Sequence, residues 1–253
     1  MSRRLSVLEV VFTVFTVLML FGICVPVMGR ARMKSSGAGC LSNFRQMMMG
    51  WSMYKDDNRD KLMLNAPFSI NNGWCRGGVG WTTDFGNTSA SAYTNNLMAK
   101  YISGRISLFK CPADTIPSAN GQRIRSCAMN AAVAPPPSNP PSLPGVRTYS
   151  TMSDVVCPSP ENLFIFADES MYTLDDGYFL ISFNKSGFYE TPAAYHEGSG
   201  SFSFADGHAE LHRWQAELLS VPYRFGVTKK SSTDTWPGST DLQWFNSRST
   251  CLP

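Results

Sequence analysis

The sequence predicts an α+β fold, in which a long N-terminal helix packs on an antiparallel β-sheet head with long loops. Three patterns support this prediction. Residues 10–29 form an apolar run without a charged residue. Five apolar residues then recur at helical spacing, namely Leu41, Phe44, Met48, Trp51 and Tyr54. Two later stretches, NLFIFADES and SFSFADGHAELHRW, alternate phenylalanine with smaller residues, as strands with one buried face do.

The uncharged run predicts a membrane-spanning first half of the helix. Its twenty residues would form a helix about 30 Å long, which matches the hydrocarbon thickness of a bilayer. Arg3 and Arg4 precede the run and favour a cytoplasmic N-terminus, although Arg30, Arg32 and Lys34 follow it. We therefore expect four segments: a cytoplasmic leader at 1–4, a transmembrane helix at 5–29, an exported amphipathic continuation of the helix at 30–60 and a globular β-rich head at 61–253.

Glu9 lies at the start of this apolar run, where an unpaired carboxylate near hydrocarbon is costly. Two interpretations stay open. The carboxylate is hydrated at an interface, or it pairs with a cation supplied by a neighbouring subunit.

Composition and motifs exclude several classes of function. Charged residues are 16% of the chain, the net charge is +3, and no basic stripe is interleaved with aromatics, so we expect no nucleic-acid partner. The chain has no G-x-S-x-G, H-E-x-x-H or P-loop motif, so we expect no enzyme.

Seven cysteines are many for a chain of 253 residues, and none forms a C-x-x-C pair, which argues against a zinc ribbon. Six of them follow the apolar run, and an even set in an exported domain favours disulfides, with buried free thiols as the alternative. The candidates are Cys40, Cys75, Cys111, Cys127, Cys157 and Cys251.

The stretch LSVLEVVFTVFTVLMLFGICVPV resembles the N-terminal segment of type IV prepilins and type II secretion pseudopilins. The resemblance implies that prepilin peptidase removes the leader, that Leu5 becomes a methylated first residue, and that Glu9 pairs with a neighbour's amine during filament assembly. Pro26 lies where those helices carry a kinking proline. Arg4 departs from the family, which has glycine before the cut.

A second resemblance rests on His196, nine intervening residues, and then Asp206 and Gly207. Together with CLSNFRQ, FKCPAD, SCAMN, LFIFADES and DLQWF, this spacing resembles the H-X9-DG (DUF1559) family of prepilin-like proteins. The resemblance covers most of the chain and makes Cys40–Cys111 the first candidate disulfide.

From these resemblances we expect a structural, pilin-like or pseudopilin subunit of a type II secretion or type IV pilus-like envelope assembly. It would be a single-pass inner-membrane protein with a periplasmic head, or lie at the cell surface once polymerised. Its partners would be the membrane, prepilin peptidase, and copies of itself or other pseudopilins bound through the N-terminal helix. The alternative is a membrane-anchored extracytoplasmic module that binds a glycan or peptide, with four candidate aromatic platforms, Trp74, Trp81, Trp236 and Trp244.

Residues 195–214 contain all three histidines, which opens three interpretations. We favour a hairpin in which His196 bonds to Asp206 or to backbone, and we expect no cofactor. A metal site is the second interpretation, with Zn²⁺ or Ca²⁺ as the ion. Its candidate ligands are Asp168, Asp206, His196 and His208, with His212 as a further zinc candidate. The third interpretation, a histidine acting as a catalytic base, lacks a supporting motif.

Overall fold

The computed structural model describes residues 6–65, 73–136, 145–181, 183, 187–215 and 239–252, and of residues 21–33 it describes only the backbone. The helices are α1 (Val7–Asp57), α2 (Phe85–Thr88), α3 (Ser91–Thr94) and α4 (Thr240–Ser249), with 3₁₀ turns at Ile106–Phe109 and Met152–Asp154. The strands are β1 (Cys127–Asn130), β2 (Phe164–Asp168), β3 (Tyr178–Phe179), β4 (Ser199–Phe204) and β5 (Ala209–Arg213).

Helix α1 begins and ends at local stop sequences. Its N-cap Ser6 accepts a hydrogen bond from the backbone N–H of Glu9, and the Glu9 carboxylate accepts one from the Ser6 N–H at 2.8 Å, which completes a capping box. At the other end Arg59 and Asp60 adopt left-handed backbone, and the Asp60 N–H donates to the Lys55 carbonyl at 2.9 Å. Its last turns bury one face in the head, with Phe44, Met47, Met48 and Trp51 in the core.

The prediction of a membrane-spanning first half is wrong. No helix among the described residues combines the length and the apolar character needed to cross a bilayer. The predicted localisation as a single-pass inner-membrane protein is wrong for the same reason.

The predicted antiparallel sheet is also wrong, because the five strands form a mixed sheet in the order β3-β1-β2-β4-β5. Strand β3 pairs parallel to β1, with Met129 opposite Tyr178, and the other pairs are antiparallel. The chain reverses after β2. Because β1 already occupies one side of β2, β3 pairs on the far side of β1 and runs in the same direction as β1.

The sheet lies between α1 and α4. On the side of α1, the Cβ of any residue at position 37 would lie 3.2 Å from Leu211, and Arg45 donates to the carbonyl of Ala209. Aromatic residues face α4, where the Phe202 ring packs 6.5 Å from Phe245. With both faces covered, all five residues of β2 are buried, rather than the one face that the phenylalanine alternation predicted.

Candidate functional site

Four side chains that are far apart in the sequence meet inside the head. Cys40 comes from α1, Cys111 follows the first 3₁₀ turn, Asp168 ends β2, and His196 lies in the turn before β4. One thiol, carboxylate or imidazole atom from each residue lies within 4.8 Å of the corresponding atoms of the other three. We call this set the CCDH cluster.

Two short contacts organise the CCDH cluster. The Cys40 thiol donates to Asp168 Oδ2 at 2.8 Å, and Cys111 Sγ lies 3.2 Å from His196 Nε2. The two cysteines and the aspartate are 1% exposed and the histidine is 5% exposed. The cluster is therefore an interior feature that bulk water does not reach freely.

Ser126 holds two members of the cluster in place. Its hydroxyl donates to Asp168 Oδ1 at 3.0 Å and accepts a hydrogen bond from the backbone N–H of Cys111 at 2.7 Å. Because Ser126 directly precedes β1, which pairs with β2, its position is set by the sheet. The carboxylate oxygen that Ser126 binds is not the one that faces the thiol.

His196 is positioned by a tight turn. Its backbone N–H donates to the Ser199 carbonyl at 3.2 Å, and the Ser199 N–H donates back at 2.9 Å. The two residues between them, Glu197 and Gly198, both have positive φ, as a two-residue hairpin turn requires. The ring turns Nε2 toward Cys111, and among the described residues its buried Nδ1 has no hydrogen-bond partner.

Burial controls the protonation of the cluster. It raises the pKa of both the Cys40 and the Cys111 thiol, and it raises that of the Asp168 carboxyl to about 6 although three hydrogen bonds oppose it. Burial also lowers the pKa of His196, which favours the neutral imidazole. A low-dielectric interior therefore disfavours charge on every member, and a cation placed among them would reverse that preference for the thiols and the carboxyl.

The chemistry of the cluster matches metal binding better than nucleophilic catalysis. A Cys–His contact next to a carboxylate is also found in cysteine nucleophiles, but a thiol must then meet a substrate. Cys111 is 1% exposed, so little of its surface is open to a substrate. Two sulfurs, an imidazole nitrogen and a carboxylate oxygen are instead the ligands that zinc prefers.

The structure separates the residues predicted as metal ligands. Asp168 and His196 lie in the CCDH cluster, whereas Asp206 and His208 lie in the turn beyond β4 and contact each other at 2.7 Å. The six residues of β4 place that turn about 20 Å from His196. His212 lies on β5 and stacks on Trp244, with ring centroids 3.6 Å apart.

The H-X9-DG spacing is explained by β4 and the turns at its two ends. His196 begins the first turn, and Asp206 and Gly207, the latter with φ +97°, form the second. The hairpin interpretation is right for the main chain of His196 and wrong for the proposed side-chain bond to Asp206. Asp206 instead accepts from the His208 backbone N–H at 3.1 Å.

The six cysteines predicted as disulfide candidates are free thiols in the structure. Cys40 and Cys111 do lie together, as the family resemblance implied, but as members of the cluster. Cys251 donates to the Cys157 carbonyl at 2.7 Å, so these two residues are also neighbours. Cys75 and Cys127 are both buried in the core.

The sequence does not identify Cys40 and Cys111 as metal ligands, because neither belongs to a C-x-x-C pair and the zinc candidates are histidines and carboxylates elsewhere in the chain. A usable signal was present in the quoted segments. CLSNFRQ, FKCPAD and LFIFADES each contribute one residue to the cluster, and the H-X9-DG motif contributes its histidine.

A second feature is the N-terminal part of α1, residues 7–20, which we call the apolar arm. Its large apolar side chains are exposed, from 45% at Val10 to 82% at Val7. Thr13 and Thr16 turn their hydroxyls to backbone carbonyls one turn earlier, at 2.7 and 3.0 Å. The exposed apolar residues are Val7, Leu8, Val10, Val11, Phe12, Val14, Phe15, Val17, Leu18, Met19 and Leu20.

The residues predicted for processing and assembly have separate outcomes. Glu9 caps α1, and hydrogen bonds from Ser6 lower the pKa of its carboxyl. Arg4 and Leu5 lie outside the described residues, and for Pro26 only the backbone, within α1, is described.

The predicted aromatic platforms do not form a common surface among the described residues. Trp74 is fully buried, and its indole N–H donates to the Gly177 carbonyl. Trp81 lies under the Arg123 guanidinium, and Trp244 covers His212. Trp236 lies outside the described residues.

Known proteins provide no match. Comparisons with protein-family models, with curated proteins and with solved structures each find none. The apolar arm and the CCDH cluster are therefore the features that bear on function.

Proposed function

We propose that the protein is a structural subunit that assembles with further copies of itself through the apolar arm. The observation that carries the proposal is the exposure of eleven large apolar side chains on the apolar arm. A soluble monomer rarely exposes a contiguous apolar surface of this kind. The resemblance of the same stretch to prepilin and pseudopilin helices supports an assembly of that type.

Burial of the arm would supply enough free energy for association. Covering one valine, leucine or phenylalanine side chain is worth about 1.5–3 kcal/mol. Association itself costs roughly 4–15 kcal/mol in lost translational and rotational freedom. Burial of half of the arm's apolar side chains would therefore offset that cost.

The arm is apolar on every side, which favours a bundle over a pair. Val10, Val14 and Val17 lie on one face, and Phe12 and Phe15 lie on the opposite face at 100° per residue. A helix of this length has a lateral surface on the order of 700 Å². Since a stable interface buries about 800 Å² per partner, contact with one neighbour on one face is too small.

An identical arm is the occupant that fits this surface best. Glu9 is the only charged residue from Val7 to Leu20, and its carboxylate already accepts hydrogen bonds from Ser6. A strongly polar partner would find one charged group there, Glu9, among eleven exposed apolar side chains. Apolar side chains on all sides of one arm are matched by those on all sides of another.

Sedimentation equilibrium of the full chain tests the proposal. We expect the wild type to form species of more than two chains, and the double variant Phe12→Ser/Val14→Ser, which alters both faces, to be monomeric. The control Met49→Ser/Met53→Ser changes two exposed methionines on the same helix outside the arm and should assemble as the wild type does.

Two results would contradict the proposal. One is a monomeric wild type at all concentrations, and a monomer that retained a glycan or peptide would favour the binding-module alternative. The other is a wild type that floats with phospholipid vesicles as separate chains.

A further inference from the structure

We infer that Cys40, Cys111, Asp168 and His196 form a structural zinc site that ties α1 to the sheet. The inference is independent of assembly through the apolar arm, because the two features share no residue. It rests on the donor set of the CCDH cluster, its geometry, its burial and its supporting contacts.

The donor set selects the ion. Two thiolates, an imidazole nitrogen and a carboxylate oxygen make four ligands, which is the number found in structural zinc sites. Calcium and magnesium take six or more oxygen ligands, so a site with two sulfurs disfavours them. Zinc is also redox-inert, which suits a site without access for a substrate.

The distances lie within about 1 Å of those that tetrahedral coordination requires. Zinc bound at about 2.3 Å to sulfur and about 2.0–2.1 Å to nitrogen or oxygen holds its ligands roughly 3.3–3.8 Å apart. The Cys40–Asp168 contact is 2.8 Å, the Cys111–His196 contact is 3.2 Å, and all four ligand atoms lie within 4.8 Å. Shifts of about 1 Å or less in these side chains would admit the ion.

The surroundings supply the support that metal ligands need. Ser126 donates to the Asp168 oxygen that does not face the thiol, which orients the carboxylate. His196 presents Nε2 to the cluster, and its buried Nδ1 lies close to position 37, where a Cβ would be 3.6 Å away. The imidazole therefore packs against α1 at van der Waals distance.

A surface pocket adjoins the ion site. Asn43 and Lys110 lie at this pocket together with Cys111, the one ligand that also belongs to the cluster. Zinc that enters there would displace the thiol protons of Cys40 and Cys111 to solvent and bind the resulting thiolates.

Elemental analysis of the purified full chain is the first test. We expect one zinc ion per chain, and after replacement by cobalt(II) we expect a thiolate-to-cobalt charge-transfer band with the intensity of a tetrahedral site. A chain without zinc that also gave no such band would overturn the inference. So would a Cys40–Cys111 disulfide found by peptide mapping under non-reducing conditions.

Variants locate the site. Cys40→Ser and His196→Gln should abolish zinc binding, whereas Cys75→Ser, which changes a buried thiol outside the cluster, should keep it.

Ser126→Ala leaves all four ligands in place and should weaken zinc affinity about 10–100-fold. Its control, Ser203→Ala, removes a buried hydroxyl that hydrogen-bonds to the Phe166 backbone and should leave the affinity unchanged. Equal zinc affinity in Ser126→Ala and Ser203→Ala would count against the site, and the wild-type cobalt spectrum remains decisive if a ligand variant does not fold.

Discussion

The pKa of His212 depends both on the packing of its side chain and on neighbouring charges. Its imidazole stacks on Trp244 and is 20% exposed. Burial lowers its pKa, Asp241 at 3.8 Å opposes that shift, and the Arg248 cation adds to it, both charges lying on α4. The net effect is a folded state that prefers the neutral ring.

This preference predicts a loss of stability in mild acid. Since the folded pKa is lowered below the unfolded value of about 6.5, the contribution of His212 is fully present above that pH and decreases as the pH falls toward the folded pKa. We expect the urea midpoint of the wild type to decrease more between about pH 7.5 and 5.5 than that of His212→Gln. An equal decrease in both proteins would show that His212 does not contribute.

At the scale of elements, the docking of α1 depends on small residues that face the head. Gly50 is the tightest of these positions, because a Cβ there would lie 2.9 Å from Ile102 Cγ2 and 3.2 Å from Met98 Sδ. The isoleucine is β-branched and has few alternative rotamers. The close approach therefore leaves little room for a larger residue.

Gly50→Val should destabilise the fold by about 1–3 kcal/mol, the usual cost of overpacking a core. Met53→Val places the same side chain on an exposed position of the same helix, and we expect it to cost only a few tenths of a kcal/mol. Urea denaturation of the two variants measures the difference. Similar stabilities would mean that α1 and the segment of Ile102 are not in close contact.

The elements were predicted with unequal success. The strand at NLFIFADES corresponds to β2, and SFSFADGHAELHRW contains β4 and β5. Periodicity detects such strands because it is local. The parallel pairing of β3 depends on which side of β1 is open for pairing. The packing of α4 on the core through Phe245 depends on contacts with distant aromatic residues. Neither feature is visible in a local pattern.

At the scale of the whole molecule, the zinc site would connect four separate parts of the chain. Its ligands come from α1, the segment after the first 3₁₀ turn, β2 and the turn before β4. An ion that binds only the folded state stabilises it by about 4 kcal/mol when it is a thousandfold above its dissociation constant. The gain would apply to the contact between helix and sheet.

Removal of the metal should therefore lower the thermal midpoint of the full chain. A loss of about 4 kcal/mol corresponds to roughly 8–16 °C for a chain of this size. Scanning calorimetry with and without a chelator measures the shift, and added zinc, but not added calcium, should restore the midpoint. A midpoint that the chelator leaves unchanged would contradict a stabilising metal.

Local patterns of the sequence determined the helical character of α1, the core residues Phe44 and Trp51 on it, and the strands that alternate phenylalanine. These features depend on neighbours within a few residues, and hydrophobic periodicity records such neighbours directly. The tertiary structure alone decided that Cys40 and Cys111 meet Asp168 and His196, and that Asp206 does not. Convergence of residues so distant in the chain depends on the order and pairing of the strands, which no local pattern contains.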